Sequence, residues 1–162
     1  MPDNLSLENR LVKVALQQLN RYTVDAELSR RTTKERPEFL MAFACYVMWL
    51  IMIGASKTYS QRVVESIVSA IHSEFAKHDW YRAGLFEKIW DEVQNRLPRM
   101  KPGRLGVLVP IVHVIEAANF AGCKIEHSND MEFFTETSLM ANELIKSASE
   151  QMQNKPWWQF WK

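Results

Sequence analysis

The chain has 162 residues, the size of one domain, and its 47% apolar and 24% charged residues are typical of a soluble globular protein. Two cysteines exclude a disulfide scaffold, and a net charge of +1 gives no overall preference for nucleic acid. The N-terminus has no basic stretch followed by an apolar one, so we expect no secretory signal. The expected setting is therefore the cytoplasm, with Cys45 and Cys123 reduced and buried as small apolar side chains.

The first half of the chain predicts a surface helix followed by an unusually apolar one. Apolar residues recur at helical spacing from Ser6 to Ser29, and a polar connector precedes Pro37, which is placed to begin the next helix. Residues 39–55 contain no charge at all. That length is at the lower limit for crossing a membrane, so a single-span protein is one interpretation. We favour a buried core helix, because the neighbouring helices are amphipathic and need an apolar one to pack against.

The remaining elements are also predicted to be helices. Gly54 is expected to end the apolar helix, and Thr58 with Gln61 has the spacing of a capping box for the next one. Asp79 is expected to cap the helix after that. Two further helices follow in the sequence, at about 105–121, with Pro110 near its start, and from about Asn129 onward. Their stripes contain the following residues: Val63, Val64, Ile67, Val68, Ile71 and Phe75; Leu85, Phe86, Ile89, Trp90, Val93 and Leu97; Met131, Phe134, Ala141, Leu144, Ile145, Ala148 and Met152.

These elements predict an all-α, single-domain bundle of about six helices. The apolar helices at 37–55 and 105–121 are expected to be central, with the amphipathic helices around them. The sequence divides into a bundle at 1–154 and an aromatic C-terminal tail at 155–162.

Motifs for common cofactors and catalytic centres are absent from the sequence. There is no glycine-rich nucleotide loop, no paired-cysteine or HExxH zinc motif, and no serine-hydrolase elbow. We therefore expect no cofactor and no metal, and an enzyme is the less favoured class.

One polar seam interrupts the apolar helix at 105–121. His113 and Glu116 are three residues apart and share a helix face, and Asn119 follows one turn later. A hydrogen-bonded pair at the surface is the simpler interpretation. The alternative is a ligand pocket, acid–base site or metal site, for which His72 or His78 would have to supply further ligands.

A basic loop lies between the fourth and fifth predicted helices. Arg99, Lys101 and Arg104 stand among prolines and glycine, where they could contact phosphates, acidic lipid headgroups or an acidic partner. Cations at a helix C-terminus also simply complement the helix dipole.

The tail, residues 155–162, has the least ordinary composition. It holds three of the six tryptophans, and its aromatic residues are Trp157, Trp158, Phe160 and Trp161. Exposing four rings to water is unfavourable, so the tail is expected to bind something. Three partners are open: the bundle itself, a membrane surface at the inner face of a membrane, or another protein, including a second copy of the chain.

The sequence thus favours a non-enzymatic helical interaction protein, of an adaptor, accessory or chaperone-like kind, that docks through its tail. A protein partner or self-association is expected, peripheral membrane contact is possible, and nucleic acid binding is not expected. The rival hypothesis is a small-ligand or metal-binding helical enzyme that uses the seam of His113, Glu116 and Asn119.

Overall fold

The computed structural model describes residues 6–23, 35–97, 108–126 and 131–153, and these ranges are almost entirely helical. Six helices lie within them: α1 Leu7–Thr23, α2 Glu35–Ser56, α3 Gln61–Phe75, α4 Leu85–Arg96, α5 Leu108–Phe120 and α6 Met131–Gln153. The described ranges contain no strand. The prediction of an all-α bundle of about six helices is confirmed.

The second helix, α2, is the centre of the bundle. It packs against each of the other five described helices. Its buried residues come from every side of the helix and run from Phe39 to Ala55. This follows from its composition, because a helix with no polar face can be enclosed on all sides without desolvating a charge.

The apolarity of α2 also meets the length and composition required of a membrane span. Of the helices in the described ranges it alone does so, with a mean hydropathy of 2.0 over its most apolar window. Of that window, 67% is buried inside the bundle. The core helix of a soluble protein has the same length and composition, so the enclosure of α2 by five helices supports the core interpretation.

The helices around α2 place their predicted apolar stripes inward. In α3 and α4 the most buried residues are Ile67, Ile71, Phe75, Phe86, Ile89 and Val93. The helix α5 packs against α2, α4 and α6, and it buries Ile111, Val114 and Ala118. Pro110 lies in the first turn of α5, where its missing N–H has no helical partner to lose.

Three predicted helix boundaries are wrong. Pro37 is the third residue of α2 rather than the first, because the first helical turn tolerates proline at any of its positions. Gly54 does not end α2, which continues to Ser56. Glycine is only a weak helix breaker when packing holds the backbone, and here both flanking turns of α2 are packed.

The predicted caps of α3 and α4 are also wrong. Ser60, not Thr58, caps α3, and its Oγ accepts a 3.5 Å hydrogen bond from the backbone N–H of Val63. Gly84, not Asp79, precedes α4, with a φ of +84° that glycine adopts without strain. Glu87 completes this start, since its Oε2 accepts a 2.6 Å hydrogen bond from the backbone N–H of Gly84.

One residue of the α6 stripe is misplaced. Ile145 was assigned to the buried face, yet it is 39% exposed, whereas Leu144 and Ala148 are buried as predicted. Leu144 and Ile145 are adjacent and lie about 100° apart around the helix, so the two cannot both point to the centre of one narrow face.

We expect Gly54→Ala to stabilise the fold by about 0.5–1 kcal/mol, because alanine restricts the unfolded chain and glycine does not. The structure has room for the methyl group, since a Cβ at position 54 would lie 3.8 Å from Met152 Cε, an ordinary van der Waals contact. The measurement is the free energy of unfolding in urea. Gly84→Ala is the control, because its φ of +84° makes the same change destabilising there.

Candidate functional site

The structure places His113 and Glu116 on one face of α5, as predicted, but at the surface. His113 Nδ1 and Glu116 Oε2 are 3.3 Å apart, a long hydrogen bond. The His113 side chain is 22% exposed and that of Glu116 is 47% exposed. The carboxylate is therefore solvated, and its attraction to the imidazole is weakened by water.

Asn119, the third residue of the seam, is used by the backbone. Its Nδ2 donates a 3.0 Å hydrogen bond to the carbonyl oxygen of Ile125, and its Oδ1 accepts a 2.8 Å bond from the N–H of the same residue. The turn between them passes through Gly122, whose φ is +113°. Asn119 therefore closes the end of α5, and both of its polar atoms are occupied.

We expect Asn119→Ala to lower the free energy of unfolding by about 1–2 kcal/mol, because two hydrogen bonds that fix the turn after α5 are lost. Urea unfolding followed by circular dichroism measures this. Glu116→Ala on the same helix is the control and should change stability by less than about 0.5 kcal/mol. Equal effects of the two changes would contradict the role assigned to Asn119.

No third ligand joins the His113–Glu116 pair. In the described ranges, no group of three or more His, Cys, Asp and Glu side chains is placed to hold a metal ion. The two histidines that could have supplied ligands are engaged elsewhere. His72 contacts Tyr81 and Glu87, and the ring of His78 stacks on Trp80 with their centroids 5.3 Å apart.

A different polar network, not predicted from the sequence, joins α3 to α4. The Tyr81 hydroxyl donates a short hydrogen bond to Glu87 Oε1, and His72 Nε2 lies 2.9 Å from the same hydroxyl. Because the phenol proton goes to the carboxylate, the Tyr81 oxygen accepts the proton of His72 Nε2. His72 and Glu87 are themselves 3.5 Å apart. We call these three residues the His72–Tyr81–Glu87 network.

The network shifts the acidities of two of its members. Burial, followed by the hydrogen bond to Glu87, raises the pKa of Tyr81 to about 12. Burial alone would raise the pKa of Glu87. The hydrogen bonds from Tyr81 and the Gly84 backbone, with the nearby His72, outweigh burial and lower it. A phenol with so high a pKa is no base at neutral pH, so the network acts as a clamp on the α3–α4 connection.

Both cysteines are buried and free, as predicted. Burial raises the pKa of Cys123 to about 12, and burial together with Cys123 raises that of Cys45 well above its ordinary value. Since only the thiolate is a nucleophile, neither cysteine is suited to covalent catalysis.

The basic loop and the aromatic tail lie outside the described residues. These predicted contacts are Arg99, Lys101 and Arg104 in the loop, and Trp157, Trp158, Phe160 and Trp161 in the tail. Described residues show where the two segments are attached. The loop follows α4, whose last turn places Gln94 Nε2 3.9 Å from the sulfur of Met52, near the C-terminal end of α2.

The tail follows α6, whose last turn is fixed to the same end of α2. The Tyr59 hydroxyl donates a 3.0 Å hydrogen bond to the carbonyl oxygen of Met152, and Arg10 Nη2 lies 3.4 Å from that of Gln151. These are carbonyls that a helix end leaves without partners of its own. Met152 is itself buried, and its methyl faces Gly54. The residues around this contact, with Lys57 and Arg62, are called here the tail-bearing end.

Close to the α4 end, an exposed aromatic ring is covered by a cation. Phe120 is 67% exposed, and the guanidinium carbon of Arg96 lies 3.5 Å from its ring centroid. Arg96 Nε is also 2.7 Å from Glu92 Oε2, so the charge of Arg96 is already paired.

Fold and contacts define the class of this protein as an all-α helical bundle built around one enclosed helix. Comparison of the chain with protein-family models, with curated proteins and with solved structures finds no match in any of the three. Its function is therefore argued from its own residues.

Proposed function

We propose that this chain is a non-enzymatic, cytoplasmic interaction protein, of an adaptor, accessory or chaperone-like kind, that binds its partner through the aromatic tail. The carrying observation is the fixed end of α6. Tyr59, Arg10 and the buried Met152 hold the last turn of α6, so the tail begins at a defined place on the bundle.

The attachment of the basic loop supports the same end of the bundle as the docking surface. Gln94 contacts Met52, two residues before Gly54, so the loop with Arg99, Lys101 and Arg104 also starts near the C-terminal end of α2. Two segments of unusual composition are thereby attached to one end of the bundle. Arg99, Lys101 and Arg104 are accordingly proposed as a second, weaker contact.

The enzyme hypothesis receives less support from the same structure. His113 and Glu116 form a solvated surface pair, and Asn119 is occupied by the Ile125 backbone. An acid–base pair of this kind needs a water-excluding pocket to shift its acidities. Half of the Glu116 side chain instead faces solvent.

The test compares the full chain with a chain ending at Asn154, each in a detergent-free extract of the cells that produce it. We expect the full chain to migrate in gel filtration as a species well above its 19.0 kDa, or to pellet with membranes. The truncated chain should migrate as a monomer and unfold at the same temperature as the full chain.

The opposite result has a clear form. If both chains migrate as monomers, and the truncated one unfolds at a lower temperature, the tail packs on its own bundle and the proposed function is wrong. Mutating the seam separates the rival hypothesis, since His113→Ala should leave the migration of the full chain unchanged.

A further inference from the structure

The tail-bearing end of the bundle has the chemistry of a surface that binds anionic lipid. Its two described cations, Lys57 and Arg62, are exposed and stand on either side of Tyr59, whose hydroxyl holds Met152. Among the described residues neither cation has an ion-pair partner. Both charges are therefore available to an external anion.

The acidic residues nearest to these cations are held by neighbours. Glu65 Oε1 accepts a 3.0 Å hydrogen bond from Gln61 Nε2, and Glu8 Oε1 accepts a 3.4 Å bond from Ser66 Oγ. Beyond this end the sequence turns wholly basic, because the last acidic residue of the chain is Glu150 and the tail holds Lys155 and Lys162. The charge on this end complements an anion.

The reach of the tail keeps its rings close to these cations. Trp157 is five residues beyond Met152 and Trp161 is nine, so at about 3.3 Å per residue the rings lie within roughly 30 Å of the α6 end. Indole rings favour the headgroup level of a bilayer, where one edge stays wet and the face is apolar. Basic residues beside them bind the phosphates of anionic lipids.

We infer that the partner of the tail-bearing end is an anionic lipid surface, into which Trp157, Trp158, Phe160 and Trp161 insert at headgroup level while Lys57 and Arg62 face the lipid phosphates. The inference rests on the proposed function and names the class of its partner. Eight residues bury limited area, so the binding is peripheral, reversible and dependent on salt.

The experiment is sedimentation of the purified full chain with vesicles of phosphatidylcholine alone, and with vesicles that also contain phosphatidylserine. We expect binding to the phosphatidylserine vesicles with a blue shift of the tryptophan emission, and a loss of binding at high salt. The chain ending at Asn154 should stay in the supernatant.

A pair of charge reversals tests the described part of the surface. One basic residue near a membrane contributes about 1 kcal/mol, or roughly fivefold in affinity, so Lys57→Glu with Arg62→Glu should weaken binding by at least about tenfold. The matched control is Lys88→Glu with Lys124→Glu, which makes the same change in net charge. Both control residues are exposed, and Lys124 lies by Glu38 near the N-terminal end of α2. The control should bind as the unchanged chain does.

Three results would overturn the inference: no binding to phosphatidylserine vesicles, binding that survives truncation, or an equal loss in both charge-reversed variants. If the full chain still forms a large species in extracts but ignores vesicles, the partner is a protein, and the proposed function stands without the lipid. Failure of both experiments would remove the proposed function as well.

Discussion

Replacing Phe86 with alanine is expected to lower the free energy of unfolding by about 3–5 kcal/mol, the cost of a large cavity in a packed core. Phe86 is fully buried at the first turn of α4. Its ring stacks on His72 and approaches Tyr81, each with a centroid distance of 5.1 Å, and its edge meets Phe75 at 6.5 Å. The change therefore removes the common contact of three rings that join α3, α4 and their connection.

Phe120→Ala supplies the matched control, because the deleted atoms are the same and the ring is 67% exposed. Only its contact with Arg96 is lost, which is worth about 1 kcal/mol or less at an exposed site. Urea unfolding curves of the two variants and the unchanged chain measure both effects. A Phe86→Ala loss no larger than that of Phe120→Ala would show that the ring cluster is not part of the folded core.

The fold was predictable from the sequence because the helical periodicity is strong and uninterrupted. The charge-free stretch from Phe39 to Ala55 could only be enclosed or inserted in a membrane, and the amphipathic helices around it indicated enclosure. The helix starts were less predictable, since several residues could serve as caps. Ser60 and Thr58 are equally good N-caps by type, and only the course of the chain after Ala55 decides between them.

The candidate site was only partly predictable. The spacing of His113 and Glu116 correctly placed both on one face of α5, but the spacing carries no information on how much water reaches that face. The role of Asn119 depends on the turn that returns Ile125 to it, which local periodicity does not describe.

The His72–Tyr81–Glu87 network was not predicted, although one signal for it was present. Gly84 and Glu87 have the spacing of a helix start in which a carboxylate accepts from the capping residue's N–H, and this spacing could have identified Glu87. The contribution of His72 could not have been found this way. It comes from the preceding helix, and its approach depends on how the connection from Ala76 to Gly84 folds back.

We expect Tyr81→Phe to lower the free energy of unfolding at neutral pH by about 1.5–3 kcal/mol, because a hydrogen bond to a charged group is lost and His72 loses its acceptor. The effect should depend on pH in two ways that differ in sign. Stability is measured by urea unfolding across the acid and alkaline ranges, and the quantity compared is the difference between the variant and the unchanged chain.

On the acid side, the difference depends on Glu87. Its pKa is lower in the folded chain than its ordinary value of 4.5, in part through the bond from Tyr81. The stability this carboxylate contributes is therefore present above about pH 4.5 and is lost as the pH falls through the folded pKa. The penalty of Tyr81→Phe should shrink over the same range. Glu87→Gln should flatten the acid dependence in the same way, since glutamine does not titrate.

On the alkaline side, the difference depends on the phenol itself. The pKa of Tyr81 is about 12 in the folded chain, above the ordinary value of 10, so the unfolded chain loses this proton first. The stability from Tyr81 is then complete below pH 10 and is lost as the pH rises through 12. Burial also raises the pKa of Tyr46, so the unchanged chain loses stability there for two reasons. Only the Tyr81 part should vanish in Tyr81→Phe.

Tyr59→Phe distinguishes this network from the mere loss of a phenol. It removes the hydrogen bond to the Met152 carbonyl and leaves Tyr81 in place, so the alkaline loss due to Tyr81 should persist in it. A parallel offset at every pH in Tyr81→Phe would contradict the network, because a phenol bonded to a carboxylate must couple stability to the protons of both groups. A penalty that fades toward both extremes of pH would establish that one clamp fixes the entry to α4.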